Sequence, residues 1–263
     1  MNIFISVVSH GHCELINELE CLSELSEDLI VVVKSNKPYD DFVELKKKPN
    51  FHWLDGDYWL GFGHNNNIVY NYSRKVLGML DSDYFIILNP DVIIKTDEIL
   101  TLVEKMNFHS SRISGINLFK DSDKSIYDNS IRNFPGFSQF VQSFLGLGNC
   151  ATLDKSKLNT PSHVDWAAGS FLAFKASHYS ALDGFDENYF MYCEDIDICY
   201  RSYLLGERVL YFSEIKAIHL AKHANRNLLS KHFYWHVKSV IRFLATKLGL
   251  TKVKSSLINN NEV

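Results

Sequence analysis

Short runs of unbroken apolar residues alternate with longer stretches in which apolar positions recur every three or four residues. The apolar runs at 3–8, 29–33, 51–54 and 84–88 read as strands. The run at 29–33 is β-branched, as expected of a strand buried on both faces. Residues 13–25, with Leu15, Leu19, Leu22 and Leu25 on one side, and residues 68–80 read as helices. Strand–helix alternation of this kind predicts a mostly parallel, Rossmann-like α/β sheet with helices on both faces and ligands beyond the carboxyl ends of the strands.

Beyond about residue 110 the pattern loosens. A polar stretch at 121–133 and a glycine-containing loop at 146–149 read as insertions over the sheet. Regular elements return as strands at 166–174 and 208–212 and a helix at 194–205. From 230 to 248, Phe233, Val237, Val240, Ile241, Leu244 and Leu248 keep helical spacing, with Lys231, Lys238, Arg242 and Lys247 between them. The expected organisation is a nucleotide-binding half (1–110), a catalytic and acceptor-binding half of the same domain (111–215) and a basic helical tail (216–263).

Charge sharpens that division. The net charge of −4 combines −12 over residues 1–214, +9 over 215–261 and −1 from Glu262, so an acidic body carries a basic tail. Such a tail fits an anionic membrane surface, or a helix packed on the body with a solvated basic face. The acidic body excludes nucleic acid as a partner, because a phosphate backbone would be repelled over most of the surface. The five cysteines form no Cys-x-x-Cys pair and read as reduced thiols. No apolar run reaches the roughly 18 residues a membrane-spanning helix needs, and the 3–8 run is too short for a signal core.

Five constellations carry candidate chemistry. Asn89-Pro90-Asp91 closes the fourth strand, either as ordinary turn chemistry or with a carboxylate placed to hold a hard cation. Gly61-Phe62-Gly63-His64-Asn65-Asn66-Asn67 precedes a helix and reads as a phosphate-approaching loop or an Asn-capped one. Glu194-Asp195-Ile196-Asp197 packs three carboxylates into a helical first turn, where the helix dipole favours the ionised form a general base needs; Asp197 and Arg201 are spaced to pair. His219 and His223, with Asn225 and Arg226, could share a face toward a metal or be satisfied histidines. The amphipathic tail is the fifth.

In this order, with Ser9-His10 after the first strand and Trp166-Ala167-Ala168-Gly169-Ser170-Phe171 before Gly184-Phe185-Asp186-Glu187, the motifs resemble the family-2 glycosyltransferases of the GT-A fold. Residues 61–67, 189–197 and 219–226 bring the chain closer to the O-antigen rhamnosyltransferases. The resemblance implies inverting transfer of L-rhamnose from dTDP-rhamnose to undecaprenyl-diphosphate-linked N-acetylglucosamine, by a peripheral enzyme on the cytoplasmic face of the bacterial inner membrane. It implies Asp195 as base with Glu194 beside it, and Asp91 with His219 as ligands of Mg²⁺ or Mn²⁺. Asn89 stands where relatives place a further carboxylate. The same resemblance assigns the nucleotide sugar to Ser9, Asn36, Gly61, Gly63, Asn65, Asn67, Asn89, Asp91, Gly169 and Arg132. A transferase of the same fold using a UDP-hexose or UDP-galactofuranose, and a non-catalytic carbohydrate-binding module, are the competing expectations.

Overall fold

The computed structural model describes residues 1–136, 139, 152–221 and 231–257. His223, Asn225, Arg226 and the glycine loop at 146–149 lie outside the described residues.

The chain begins with β1 (Ile3–Ser9), α1 (Cys13–Leu19), α2 (Cys21–Leu25), β2 (Ile30–Ser35) and β3 (Phe51–Asp55). It continues through α3 (Phe62–Lys75), β4 (Tyr84–Leu88), β5 (Val92–Ile93), α4 (Thr96–Phe108) and β6 (Ile113–Phe119). Then come β7 (Ile131–Arg132), β8 (Ser162–Val164), β9 (Trp166–Ala167), β10 (Phe171–Lys175), α5 (Ala176–Ala181), α6 (Glu194–Leu204), β11 (Val209–His219) and α7 (Lys231–Lys247).

A nine-stranded sheet runs in the order β3-β2-β1-β4-β10-β6-β11-β5, with β8 on β11. The first four strands are mutually parallel, as the alternation predicts. β10 enters antiparallel between β4 and β6, so the second half is mixed. Two apolar layers flank the sheet, one built on Ile5, Val33, Ile86 and Leu102, the other on Phe4, Val32, Phe85, Tyr179 and Phe185.

Several expected elements change. The helix at 13–25 breaks at Glu20, which sits in left-handed backbone at φ 54°. The strand at 166–174 is two strands separated by a turn at 168–170. The last strand runs on to His219, so the expected tail boundary at 215/216 falls inside the central sheet. α7 packs on α6, and the segment after it is laced to the body. Arg242 forks onto Asp186, which also accepts from Lys254 N at 3.1 Å, while Glu187 accepts from Ser256 N at 2.7 Å. The two acids of Gly184-Phe185-Asp186-Glu187 therefore tie the basic C-terminal segment to the body.

The largest correction concerns residues 61–67, which are the entry and first two turns of α3 rather than a loop. The glycines permit close packing: a Cβ on Gly61 would lie 2.8 Å from Phe190 O, and one on Gly63 2.5 Å from Phe185 Cβ. Asn67 is wholly buried, accepting from Tyr179 OH (2.7 Å) and Phe185 N (3.0 Å) and donating to Phe185 O (2.9 Å) and Glu187 Oε1 (3.0 Å). Asn65 is equally buried and donates to Gly61 O at 2.9 Å. These contacts give Gly61, Gly63, Asn65 and Asn67 a part in packing α3 against the body.

Candidate active site

The carboxyl ends of β1, β2 and β4 converge on one edge of the sheet. At the end of β1, buried Ser9 turns its hydroxyl inward to accept from His12 N at 3.0 Å. Asn36, just past β2, has both ends of its amide engaged by the β3–α3 loop: Leu60 N donates to Oδ1 (2.8 Å) and Nδ2 donates to Leu60 O (2.9 Å). Asn36 is thus engaged at both ends of its amide, and Ser9 is wholly buried.

Past β4, Asp91 faces the end of β11. Its Oδ1 lies 3.4 Å from His219 Nε2, and Asp128 Oδ2 lies 3.3 Å from His219 Nδ1. Burial opposes the charged ring, but the hydrogen bonds it donates to Asp128 and Asp91 outweigh it and push His219 up to about 9. Burial likewise works against both carboxylates, yet their bonds to His219 leave each below the usual Asp value. Once Nε2 gives up its proton, an Asp oxygen and an imidazole nitrogen facing one point are donors a divalent cation accepts, and Asp128 on the far ring nitrogen resembles the outer-shell carboxylate that orients a metal-bound histidine. Among the described residues no group of three or more Asp, Glu, His or Cys is arranged to enclose an ion.

The turn at 168–170 connects this point to the acidic cluster. Ser170 O accepts from Asn89 N at 3.0 Å, and Gly169 N donates to Asp195 Oδ2 at 3.1 Å. A Cβ on Gly169 would sit 3.2 Å from the Phe62 ring, so that turn has no room to spare. Arg132 lies at the same rim, its guanidinium 5.2 Å from the centre of the Trp166 ring, and its charge favours ionised Asp195.

Asp195 stands in the first turn of α6, as the spacing predicts, after Tyr192 and Cys193 in left-handed backbone (φ 71° and 62°). The electrostatics differ from the sequence-based expectation. The helix dipole favours the charged form, but burial dominates and raises Asp195 above the ordinary Asp value. Glu194 is raised further, to about 8, by burial and then by the Asp195 charge; its Oε2 is buried without a hydrogen-bond partner. Glu194, raised to about 8, is thus held toward its protonated form more strongly than Asp195, the kind of split between neighbouring carboxyls that acid–base sites exploit. Asp197 makes the expected surface-style pair with Arg201 at 2.7 Å, although both are largely buried.

That split has a measurable consequence. A carboxyl raised on folding binds its proton more tightly in the native state, so it lowers stability progressively from its unfolded value of 4.5 up to its folded value of about 8. Glu194→Gln, which imitates the protonated form, is expected to keep turnover at pH 7. Its melting temperature should gain on wild type as pH rises through that window. Parallel melting curves whose separation ignores pH would contradict the assignment.

Three residues at this edge escape sequence reasoning. His12 follows a strand and a Gly11 turn, a readable but weak signal. Trp59 lies in an aperiodic loop. Asp128 is one acid in a polar stretch, and only the fold carries it to His219.

Comparison with known proteins bears on the family and the fold. The chain is 41% identical over 250 residues to "Rhamnosyltransferase WbbL" of Escherichia coli K12, covering 93% of each sequence. It is 29% identical over 172 residues to "N-acetylglucosaminyl-diphospho-decaprenol L-rhamnosyltransferase" of Mycobacterium tuberculosis, covering 63% of this chain and 56% of that one. Among solved structures it resembles S. aureus TarS residues 1–349 in complex with UDP-GlcNAc, with TM-score 0.61 and 13% identity over 97% of this chain and 69% of that one, a likeness of fold. No protein-family model matches the chain.

Proposed function

Because the chain belongs to the rhamnosyltransferases, glycosyltransferases built on the GT-A fold, we propose that it takes L-rhamnose from dTDP-rhamnose and attaches it, with inversion, to N-acetylglucosamine on a polyprenyl diphosphate such as undecaprenyl diphosphate. The acceptor reading draws on the name of the mycobacterial relative. Such a product suits O-antigen or related polysaccharide assembly.

One observation carries the mechanism: the 168–170 turn is bonded on one side to Asp195 and on the other to Asn89, beside Asp91. The base and the diphosphate-facing group thus share a single rigid cleft wall. Asp195 takes the proton of the acceptor hydroxyl, whose oxygen attacks the anomeric carbon opposite the departing dTDP. Protonated Glu194 keeps a second negative charge away from that oxygen. Asp91 and His219 would hold Mg²⁺ or Mn²⁺, which when bound supplies Lewis-acid neutralisation of the leaving diphosphate. Asp128 fixes the His219 ring so that Nε2 faces the cleft. In this reading residues 1–110 serve the donor and 111–215 the acceptor, with Arg132 near the phosphates.

The basic segment gives the enzyme a route to its lipid-linked acceptor. No helix among the described residues is long and apolar enough to cross a membrane. The outward side of α7 and its continuation carries exposed Tyr234, Ile241, Leu248 and Leu250 beside exposed Lys231, Lys238, Lys247, Lys252 and Lys254, the makeup of an interfacial helix on an anionic leaflet. We place that contact on the cytoplasmic face of the inner membrane. Removing the segment would also strip its ties to Asp186 and Glu187, so charge reversal is the cleaner test. At about 1 kcal/mol per well-placed lysine, Lys238→Glu with Lys247→Glu should weaken binding to phosphatidylglycerol vesicles roughly tenfold or more. Unchanged co-sedimentation would remove the membrane role.

The donor and acceptor are tested by incubating the protein with dTDP-rhamnose, UDP-glucose or UDP-galactofuranose and a synthetic polyprenyl-diphosphate-N-acetylglucosamine, then weighing the lipid product. Addition of a deoxyhexose from dTDP-rhamnose alone is expected. Transfer from a UDP-sugar instead would overturn the donor.

A further inference from the structure

The loop after β3 is fixed with unusual thoroughness for an exposed segment, and what it displays is a tryptophan. Buried Lys34 donates to Ser35 O (2.7 Å), Gly56 O and Asp57 O (3.3 Å), pinning the start of the loop from beneath. Asn36 grips Leu60 through both ends of its amide, and its own carbonyl accepts from Trp59 N at 3.0 Å. Between these anchors Trp59 adopts φ 63°, a conformation rare for a bulky side chain and retained only where the surroundings over-determine it.

The anchoring does not bury Trp59, which stays 58% exposed. It is steadied instead at its margins: the His10 ring meets it edge-on at 5.6 Å and 80°, and Lys37 Nζ lies 6.0 Å from its centre. Those neighbours come from the ends of β1 and β2, so the indole stands at the carboxyl edge of the parallel strands, where ligands of open α/β sheets bind. On the same edge, His12 and then Asp91 lead toward His219. An exposed aromatic held in a fixed loop and a cation-competent pair on the same sheet edge are the two kinds of group that the base and the phosphates of a nucleoside diphosphate call for.

We infer that Trp59 is the stacking platform for the nucleobase of the sugar donor, and that Lys34 and Asn36 are positioning residues that hold it in place. This rests on the donor reading above and assigns the base contact to an aromatic face rather than to the Asn36 amide. Stacking reads no hydrogen-bond pattern, so Trp59 contributes affinity for the base without by itself separating thymine from uracil.

The test is titration of the full-length protein with dTDP and, separately, with inorganic diphosphate, in Mg²⁺ buffer. Base–aromatic stacking of the usual size predicts that Trp59→Ala weakens dTDP binding roughly 10- to 100-fold. Inorganic diphosphate, which has no base, should bind wild type and Trp59→Ala alike; equal losses for both probes would make Trp59 merely structural and overturn the proposal. Trp59→Phe, which keeps a ring and guards against a folding defect, should hold dTDP within a fewfold of wild type. It should also lose most of the indole fluorescence quenching that dTDP causes in wild type. Wild-type affinity in Trp59→Ala overturns the platform while leaving the donor reading intact, and the same result with loss of vesicle binding would hand the ring to the membrane. A wild-type protein that binds no dTDP overturns the donor reading and the platform together.

Discussion

Asp195→Asn is expected to lower the rate of transfer by about a thousandfold, the middle of the range that a positioned general base supplies, and to leave the affinity for dTDP unchanged. The asparagine keeps an oxygen able to accept from Gly169 N, so the 168–170 turn and the Asn89 contact beyond it stay in place. Only the capacity to take a proton disappears. Because burial lifts Asp195 above the ordinary Asp value, the acid limb of the wild-type rate profile should lie higher in pH than a solvent-exposed aspartate would set it. Steady-state turnover and dTDP titration on the same preparation check both halves. Retained turnover would take the base role from Asp195, and lost dTDP binding would mean that the turn had moved.

The second large effect falls on stability. Asn67→Ala is expected to cost about 3 kcal/mol or more, since it leaves Tyr179 OH and both backbone groups of Phe185 without their buried partner. For a chain of this size that is a fall in melting temperature of roughly 6–12 °C. The hydrogen bonds of the Asn67 amide join α3 to the segment leading into the catalytic helix and to Glu187, which anchors Ser256. If Asn67 instead served the nucleotide sugar, the substitution would raise the KM for donor and leave the melting temperature alone. Differential scanning calorimetry beside donor kinetics separates the two.

These contrasts show which parts of the molecule can be read from a linear pattern. The strands of the parallel half are legible because burial on both faces demands continuous apolar residues, and Val31, Val32 and Val33 are wholly buried as that pattern requires. The first turn of α6 is legible because three acids in four positions are costly without a purpose. Residues 61–67 mislead because asparagine is a capping residue in most contexts, and only the partners supplied by Phe185 and Tyr179, over a hundred positions away, make it a core residue. Asp128 is opaque for a related reason, since its meaning comes from His219, 91 positions distant. For Glu194 the helix dipole alone points to the ionised form and misleads, because burial depends on what covers the helix. Local chemistry is visible in the sequence; desolvation and long-range partners are not.

Inversion at the anomeric carbon is the heart of the account: one displacement, driven by Asp195, with no covalent sugar on the protein. Proton NMR of the sugar product formed by wild-type enzyme from dTDP-β-L-rhamnose, read at the earliest detectable turnover, tests it most directly. An α-L-rhamnoside is the predicted result. A β-L-rhamnoside would contradict it, whatever the fate of the Asp195 variant.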